Sequence, residues 1–344
     1  MKSAVFLGRR NIQVQEREIP HPGPGEALIQ VMACGVCGSD VHIYEGDQGS
    51  TATVPPQVQG HEFAGIVAET GSGVTACRVG DRVCVDPADN CNACYYCANG
   101  MMGHCEHMGA IGTNIDGGFS QYCVVPARLV HHLADDVTWI QGAMAEPLAC
   151  CINGADRSDI KVSDNVVIYG GGMIGLLLLQ LARLRGAANV VLVEPSEAKR
   201  EMARQLGAAI TIDPTVENVK DTLRMHGLTH IQSVIETCGL KSTSEEAIDI
   251  VDRRGTVLLF AVTKVDAAMN LMTYQLFQKE LTVRGSYCSP YDMGRAVELI
   301  NAHRIDVTTM LAGTRPLEGL AEILADPAMR AQGKWVILPN GSVD

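Results

Sequence analysis

Four cysteines spaced Cys91-x2-Cys94-x2-Cys97-x7-Cys105 put four thiolates within fifteen residues. That is enough soft donor to close a tetrahedral zinc site and hold a loop that has no other secondary structure. The spacing differs from the ferredoxin patterns for iron–sulfur clusters, and a nucleic-acid zinc ribbon needs two cysteine pairs about 15–20 residues apart. A closed four-thiolate site has no open position for chemistry, so an enzyme built on it needs a second, open metal position. Upstream, Cys37 in Cys37-Gly38-Ser39-Asp40-Val41-His42 and the pair His61-Glu62 after Gly60 supply thiolate, imidazole and carboxylate, all zinc ligand types. Each also has a plainer role when taken singly: Cys37 as a small buried residue, His61 as a hydrogen-bonded core histidine, Glu62 as a solvated charge.

A second constellation is Gly170-Gly171-Gly172-Met173-Ile174-Gly175, which follows the apolar run 166–169 and opens an apolar helix through Leu184. In a G-x-G-x-x-G turn, Gly170, Gly172 and Gly175 allow a tight bend and close approach of backbone to a pyrophosphate at the helix N-terminus. Alone it is a Gly-rich turn. Here a second apolar run, 190–193, ends in Glu194, 24 residues beyond Gly170, where a carboxylate accepts hydrogen bonds from a ribose diol. The same carboxylate repels the extra phosphate of NADP, so NAD is the expected cofactor. Lys199 and Arg200, a few residues on, read as solvated helix charges, with Lys199 kept beside Met173 and Ile174 at the cofactor's edge.

These groups must be positioned by two kinds of structure. Residues 1–150 read as short β runs (27–32, 63–69, 82–85, 120–125) broken by Gly and Pro at His21-Pro22-Gly23-Pro24-Gly25, Pro55-Pro56 and Gly71-Ser72-Gly73, turns that long helices do not tolerate. After about Asn153, apolar runs (166–169, 190–193, 210–212, 233–235, 256–260) alternate with helical patterns such as 196–206 and 244–251, as a parallel sheet covered on both faces requires. A helix-like 292–302 and a strand-like 335–338 either close that sheet or return to the first domain. No internal repeat is present.

The chain's 344 residues are long enough for two cores. With 47% hydrophobic and 19% charged residues it is a globular chain. Lysine plus arginine number 27 against 39 acidic residues, a balance of −12, the wrong sign for holding nucleic acid or anionic lipid. Residues 1–10 lack a basic stretch leading into an apolar run, and the apolar helix 173–184 is too short to span a bilayer. Thirteen cysteines, an odd number, fit metal binding in a reducing compartment better than a disulfide framework. The expectation is a cytoplasmic protein with a small-molecule substrate and no nucleic-acid or membrane partner.

The two metal-type clusters and the nucleotide fingerprint are accompanied by Gly60-His61-Glu62-Phe63-Ala64-Gly65, Val79-Gly80-Asp81-Arg82-Val83, Asp116-Gly117-Gly118-Phe119, Glu146-Pro147-Leu148 and Gly333-Lys334-Trp335-Val336-Ile337. In this order, and over essentially the whole chain, they resemble the zinc-dependent medium-chain dehydrogenases, in particular the sorbitol (polyol) dehydrogenase branch. The resemblance implies an α/β chain. A GroES-like, mostly-β catalytic domain (1–152, with a zinc lobe at about 87–108) is followed by a Rossmann doubly wound parallel-sheet domain (153–290), and a segment 291–344 returns to the catalytic domain. It implies two zinc ions per chain, one catalytic and one structural, with NAD as cofactor and an assembly of two or four copies built through the Rossmann domain.

Carried over residue by residue, the resemblance assigns Cys37, His61 and Glu62 to the catalytic zinc. Glu146 is the nearby carboxylate that binds the metal directly or through water. Ser39 and His42 are the hydroxyl and imidazole that pass the alcohol's proton outward. Cys150 and Cys151 fall outside the ligand set as buried small residues. The expected reaction is oxidation of a secondary alcohol of a polyol or sugar alcohol to a ketone. A threonine-type amino-alcohol dehydrogenase shares the same ligands, and a non-catalytic nucleotide-binding homologue keeping only the structural zinc is the third reading. The segment Arg284-Gly285-Ser286-Tyr287-Cys288 lacks the arginine that grips distal hydroxyls in sorbitol enzymes. Ile43 stands where those enzymes carry an aromatic residue, with Tyr44 adjacent as a substitute wall.

Overall fold

The computed structural model describes residues 1–47, 51–264 and 266–341. The chain divides into two compact units, Met1–Ala149 with Pro290–Asp344, and Cys150–Ser289. The sequence placed these divisions at 152/153 and 290/291. The first falls inside the continuous helix Ala145–Arg157, which has no break to mark it; its only proline, Pro147, sits in the first turn, where a missing N–H costs nothing.

The first unit is built on a seven-stranded sheet. From one edge the order is Val130–His132, Arg82–Val85, Glu62–Thr70, Glu26–Gly35, Lys334–Ile337 and Leu311–Arg315, with Tyr122–Pro126 also pairing to Glu26–Gly35. The C-terminal segment thus supplies two strands of this sheet, and they run parallel to each other. The central strand Glu26–Gly35 pairs along its first half with Tyr122–Pro126 and at its end with Val336 and Ile337. Val31, Ala33 and Cys34 are fully buried within it. In Tyr122–Pro126 burial alternates, Cys123 and Val125 facing inward, the period-2 pattern of a strand with one face on a core.

The second unit holds six strands, all parallel, in the order Ile210–Ile212, Asn189–Val193, Asn165–Tyr169, Ser233–Glu236, Thr256–Leu259, Thr282–Gly285. Numbered along the chain this is 3-2-1-4-5-6, the doubly wound dinucleotide-binding order. Its central strands are β-branched and buried on both faces, with Val166, Val167, Ile168, Val191, Leu192, Val234 and Ile235 at 0% exposure, which is why they read as continuous apolar runs rather than alternating ones. Order reverses between Asn165–Tyr169 and Ser233–Glu236, and the crevice beyond their carboxyl ends is where such sheets take ligands. No helix among the described residues is long and apolar enough to cross a membrane.

Candidate active site

In the first unit, strand register brings the donors together. Gly35 pairs with Glu62 across the antiparallel strands Glu26–Gly35 and Glu62–Thr70. Cys37, two residues past the end of one strand, therefore meets His61 and Glu62 at the start of the other. The Cys37 sulfur, a His61 nitrogen and a Glu62 oxygen all lie within 4.8 Å of one another. Two glycines make room. Gly60 has φ +96° and a side chain there would strike Cys34 and Phe119; a Cβ on Gly35 would come within 2.2 Å of Glu62 Oε2.

Charged groups are packed closely around this cluster. Asp40, 0% exposed, accepts from the Cys37 N–H through Oδ2 at 2.8 Å and turns Oδ1 toward His61 Nδ1 at 3.5 Å. Neither of those last two atoms forms a hydrogen bond of normal geometry. Burial opposes a charge on His61, but Asp40 and Cys37 outweigh it and hold the ring well above its ordinary pKa. The charged imidazole and the Lys334 ammonium on Glu62 balance the two carboxylates, so the pointer to a metal is the donor types and their closeness rather than an unpaired charge. The donor set fits an open zinc site of three protein ligands, with Asp40 behind the histidine as the carboxylate partner such ligands use.

Ser39, in the first turn of the helix Gly38–Tyr44, lies with Oγ 3.4 Å from His61 Nε2. His42, one turn on, has a half-exposed side chain whose Nδ1 is 3.7 Å from Asp47. Glu146, in the first turn of Ala145–Arg157, lies outside the 4.8 Å group. Tyr44 is buried in the core of the first unit, on the same side of its helix as buried Asp40 and Ile43. Cys151 is buried and Cys150 half-buried.

The sequence motifs contain two further participants without pointing to their roles. Asp40 stands three residues after Cys37, the spacing at which an acidic side chain reaches back to the N-cap N–H, so its first contact was readable. Lys334, 7% exposed, has its ammonium on Glu62 Oε2, and nothing local to Gly333-Lys334-Trp335 signals that.

The second cluster is Cys91, Cys94, Cys97 and Cys105, whose sulfurs also lie within 4.8 Å of one another. Separations of 3.5 Å (Cys94–Cys97), 3.9 Å (Cys91–Cys97) and 4.0 Å (Cys94–Cys105) bracket the ~3.8 Å edge of a tetrahedron with ~2.3 Å zinc–sulfur bonds. All four are free thiols. Backbone N–H groups of Cys97 and Glu106 hold the Cys94 thiol down to about 6, whereas burial pushes the Cys97 thiol up to about 12, so the metal-free cluster favours a thiolate at Cys94 and a thiol at Cys97. Around them are only the short helix Tyr95–Ala98, the turn Met102–His104 and the strand pair Ala88–Asp89 and Gly109–Ala110. The local core consists of Cys97, Met102 and Cys105 with Cys91, Cys94 and Met108.

In the second unit, Gly170 (φ +101°) turns the chain out of Asn165–Tyr169, and Gly172 is the N-cap of the helix Met173–Leu184. A Cβ on Gly175 would lie 1.9 Å from the Gly170 carbonyl, whereas one on Gly172 meets nothing within 4 Å. One glycine is thus demanded by helix–strand packing, and the other faces open space at the helix N-terminus, a cradle suited to a pyrophosphate. Glu194, 6% exposed, accepts from Gly171 N at 2.7 Å and Ser196 N at 2.9 Å, so strand end and glycine turn are tied together. Lys199 is half-buried. Arg200 departs from the solvated charge expected of it: it is 8% exposed and bound on all sides, because helical spacing from Ser196 turns it under the loop it follows.

Residues 23–135 match the alcohol dehydrogenase GroES-like domain, and residues 173–302 match the zinc-binding dehydrogenase domain. The chain is 34% identical to L-threonine 3-dehydrogenase of Pyrococcus abyssi, covering 83% of this chain and 81% of that one. This chain belongs to the zinc-dependent medium-chain dehydrogenases. It is 32% identical to the sorbitol dehydrogenase of Halalkalibacterium halodurans over 88% of this chain and 89% of that one. Among solved structures, a Sinorhizobium meliloti 1021 protein described as a zinc-binding dehydrogenase and bound to NADP superposes with a TM-score of 0.95. It is 34% identical, over 98% of this dehydrogenase and 99% of its own chain.

Proposed function

We propose that this dehydrogenase oxidises a secondary alcohol of a polyol or sugar alcohol to the ketone, reversibly, with NAD. The observation that carries the reading is the Cys37, His61 and Glu62 donor set within 4.8 Å on a chain whose other unit is a 3-2-1-4-5-6 sheet with a glycine cradle and a strand-end carboxylate. Zinc held by Cys37, His61 and Glu62 would supply a Lewis acid that lowers the alcohol's pKa, and a nicotinamide cofactor held at the glycine cradle would supply the hydride acceptor. The chain's own work is to hold and move groups. Asp40 orients His61; Ser39 takes the hydroxyl proton and His42, half-exposed, hands it to solvent. Glu146 serves as a nearby carboxylate outside the direct ligand group. Cys91, Cys94, Cys97 and Cys105 hold a second, structural zinc.

NAD is preferred here because both Glu194 oxygens already accept from backbone N–H groups at the turn that holds the adenosine ribose, leaving a buried negative charge where NADP carries another. The NADP in the Sinorhizobium structure favours the opposite choice, and both cofactors belong in the assay. The identity to threonine dehydrogenase supports a second reading, an amino alcohol as substrate.

The protein works in the cytoplasm, a reading supported by thirteen free thiols, as two or four copies. Pairing through the second unit is supported by its outer strand Thr282–Gly285 and the preceding helix Thr273–Lys279, on which Tyr274 and Phe277 are 68% and 79% exposed. The deciding experiment is reduction of NAD and NADP by the purified protein across sugar alcohols, cyclitols, amino alcohols and simple alcohols, with zinc counted per chain. Turnover confined to threonine-like substrates would replace the polyol reading, and one zinc per chain with no turnover would leave a nucleotide-binding homologue.

A further inference from the structure

Arg200 is a buried cation that the proposed chemistry does not use. Its Nη1 donates to the carbonyls of Glu194 and Pro195, both at 2.7 Å, and lies 3.0 Å from Asp213 Oδ2. Nε and Nη2 reach Glu197 Oε2 at 3.1 and 2.5 Å. Glu194 and Pro195 are the residues by which the chain leaves the strand Asn189–Val193 for the helix Glu197–Gln205. Asp213 is the first residue after the neighbouring strand Ile210–Ile212. Glu194 is therefore gripped twice, its carboxylate by the N–H groups of Gly171 and Ser196, and its carbonyl by Arg200.

We infer that Arg200, anchored by Asp213, is a positioning residue for dinucleotide recognition: it fixes the Glu194–Pro195 turn so that the Glu194 carboxylate stays at the mouth of the glycine cradle. The inference rests on the reading of Glu194 as the ribose-binding carboxylate. A guanidinium is suited to the task because it stays charged, has a rigid fork of donors and accepts nothing, so Nη1 can face the turn carbonyls and Asp213 while Nε and Nη2 hold Glu197. The same commitment removes Arg200 from any role toward a 2′-phosphate: its Nη1 already faces three acceptors. A cation six residues beyond the ribose carboxylate therefore works for NAD, by holding that carboxylate in place, and not for NADP.

Without the clamp the turn must be ordered at the moment of binding, and that cost falls on the ligand that uses Glu194. In the holoenzyme, Arg200→Met should raise the Kd for NADH, read by nucleotide fluorescence, on the order of tenfold. The Kd for NADPH should move far less, so the preference ratio shrinks, and kcat at saturating NAD should change little beside KM. Arg200→Lys should not restore the ratio, because one ammonium cannot replace Nη1 on the turn carbonyls and Asp213 while also replacing Nε and Nη2 on Glu197. Asp213→Asn, which leaves the guanidinium in place, should shift the ratio in the same direction by a smaller factor and guards against an Arg200→Met protein that fails to fold. A lower melting temperature with both Kd values unchanged, or both raised by one factor, would reduce Arg200 to packing and overturn the inference. Glu194→Ser separates the two levels. If it moves the ratio and neither Arg200→Met nor Asp213→Asn does, the clamp alone is wrong; if it does not, the ribose site falls and the clamp with it.

Discussion

The Lys334 ammonium sits on the Glu62 carboxylate inside the first unit, with side chains only 7% and 1% exposed. Burial opposes the charge on Lys334, but Glu62 and Cys37 outweigh it and hold its pKa above the ordinary value. Removing one partner of such a pair leaves the other charged and dry, at a cost of about 3–5 kcal/mol. Lys334→Met should therefore destabilise the protein strongly, and more after chelation than with zinc bound, because the ion supplies the missing counter-charge to Glu62. Melting curves with and without chelator on Lys334→Met and on Glu62→Gln/Lys334→Met check this: the double variant should recover much of the loss. Equal losses in both metal states would show that Glu62 does not face the metal.

Cys94 lies 3.5 Å from Cys97 and 4.0 Å from Cys105 in a lobe with almost no other core. Cys94→Ser should lose one zinc per chain and melt earlier, since the metal's binding energy is folding energy there. Nicotinamide binding by the second unit should persist. Unchanged metal content and melting temperature would remove the structural site.

His61→Ala should abolish turnover while NAD affinity stays nearly intact, because the proposed cofactor site, the glycine cradle, belongs to the other unit. Ser39→Ala and His42→Ala should be milder and should move the turnover profile to higher pH, where hydroxide accepts the proton directly. A fully active His61→Ala protein without bound metal would refute the ligand assignment.

Glu194→Ser should lower kcat/KM with NAD through the lost hydrogen bonds and raise it with NADP through the lost repulsion. Steady-state kinetics with both cofactors measure this. An unmoved ratio would make Glu194 a structural tie between the strand end and the glycine turn.

Asp86, just before the zinc lobe, has its carboxyl pushed up to about 6 by burial, against the pull of the Ala88 N–H. In the unfolded chain the carboxyl titrates near 3.8, so between those values folding favours the protonated form. The penalty is absent below about pH 4, grows through pH 6 and is complete at neutral pH. Asp86→Asn should therefore raise the melting temperature at pH 7–8, by a free energy of no more than about 3 kcal/mol, and the gain should vanish at pH 4. A gain independent of pH would place its origin in packing.

Much of this was legible in the amino-acid sequence because its causes are local. Cys91, Cys94, Cys97 and Cys105 are held by one loop, Gly170 to Gly175 by one turn, and the doubly buried strands announce themselves as runs such as Val166–Tyr169 and Val190–Val193, since a strand covered on both faces has no polar side to show. The types Cys37, His61 and Glu62 could be picked out, but only the Gly35–Glu62 register brings them within reach of one another. Lys334 on Glu62, Arg200 beneath the Glu194 turn with Asp213, and Leu311–Arg315 joining the first unit's sheet leave no periodic trace. Each depends on which segments pack together after the chain has folded. A lysine or arginine reads as a solvated charge until its surroundings are known, because its residue type is the same on the surface and in a paired interior site.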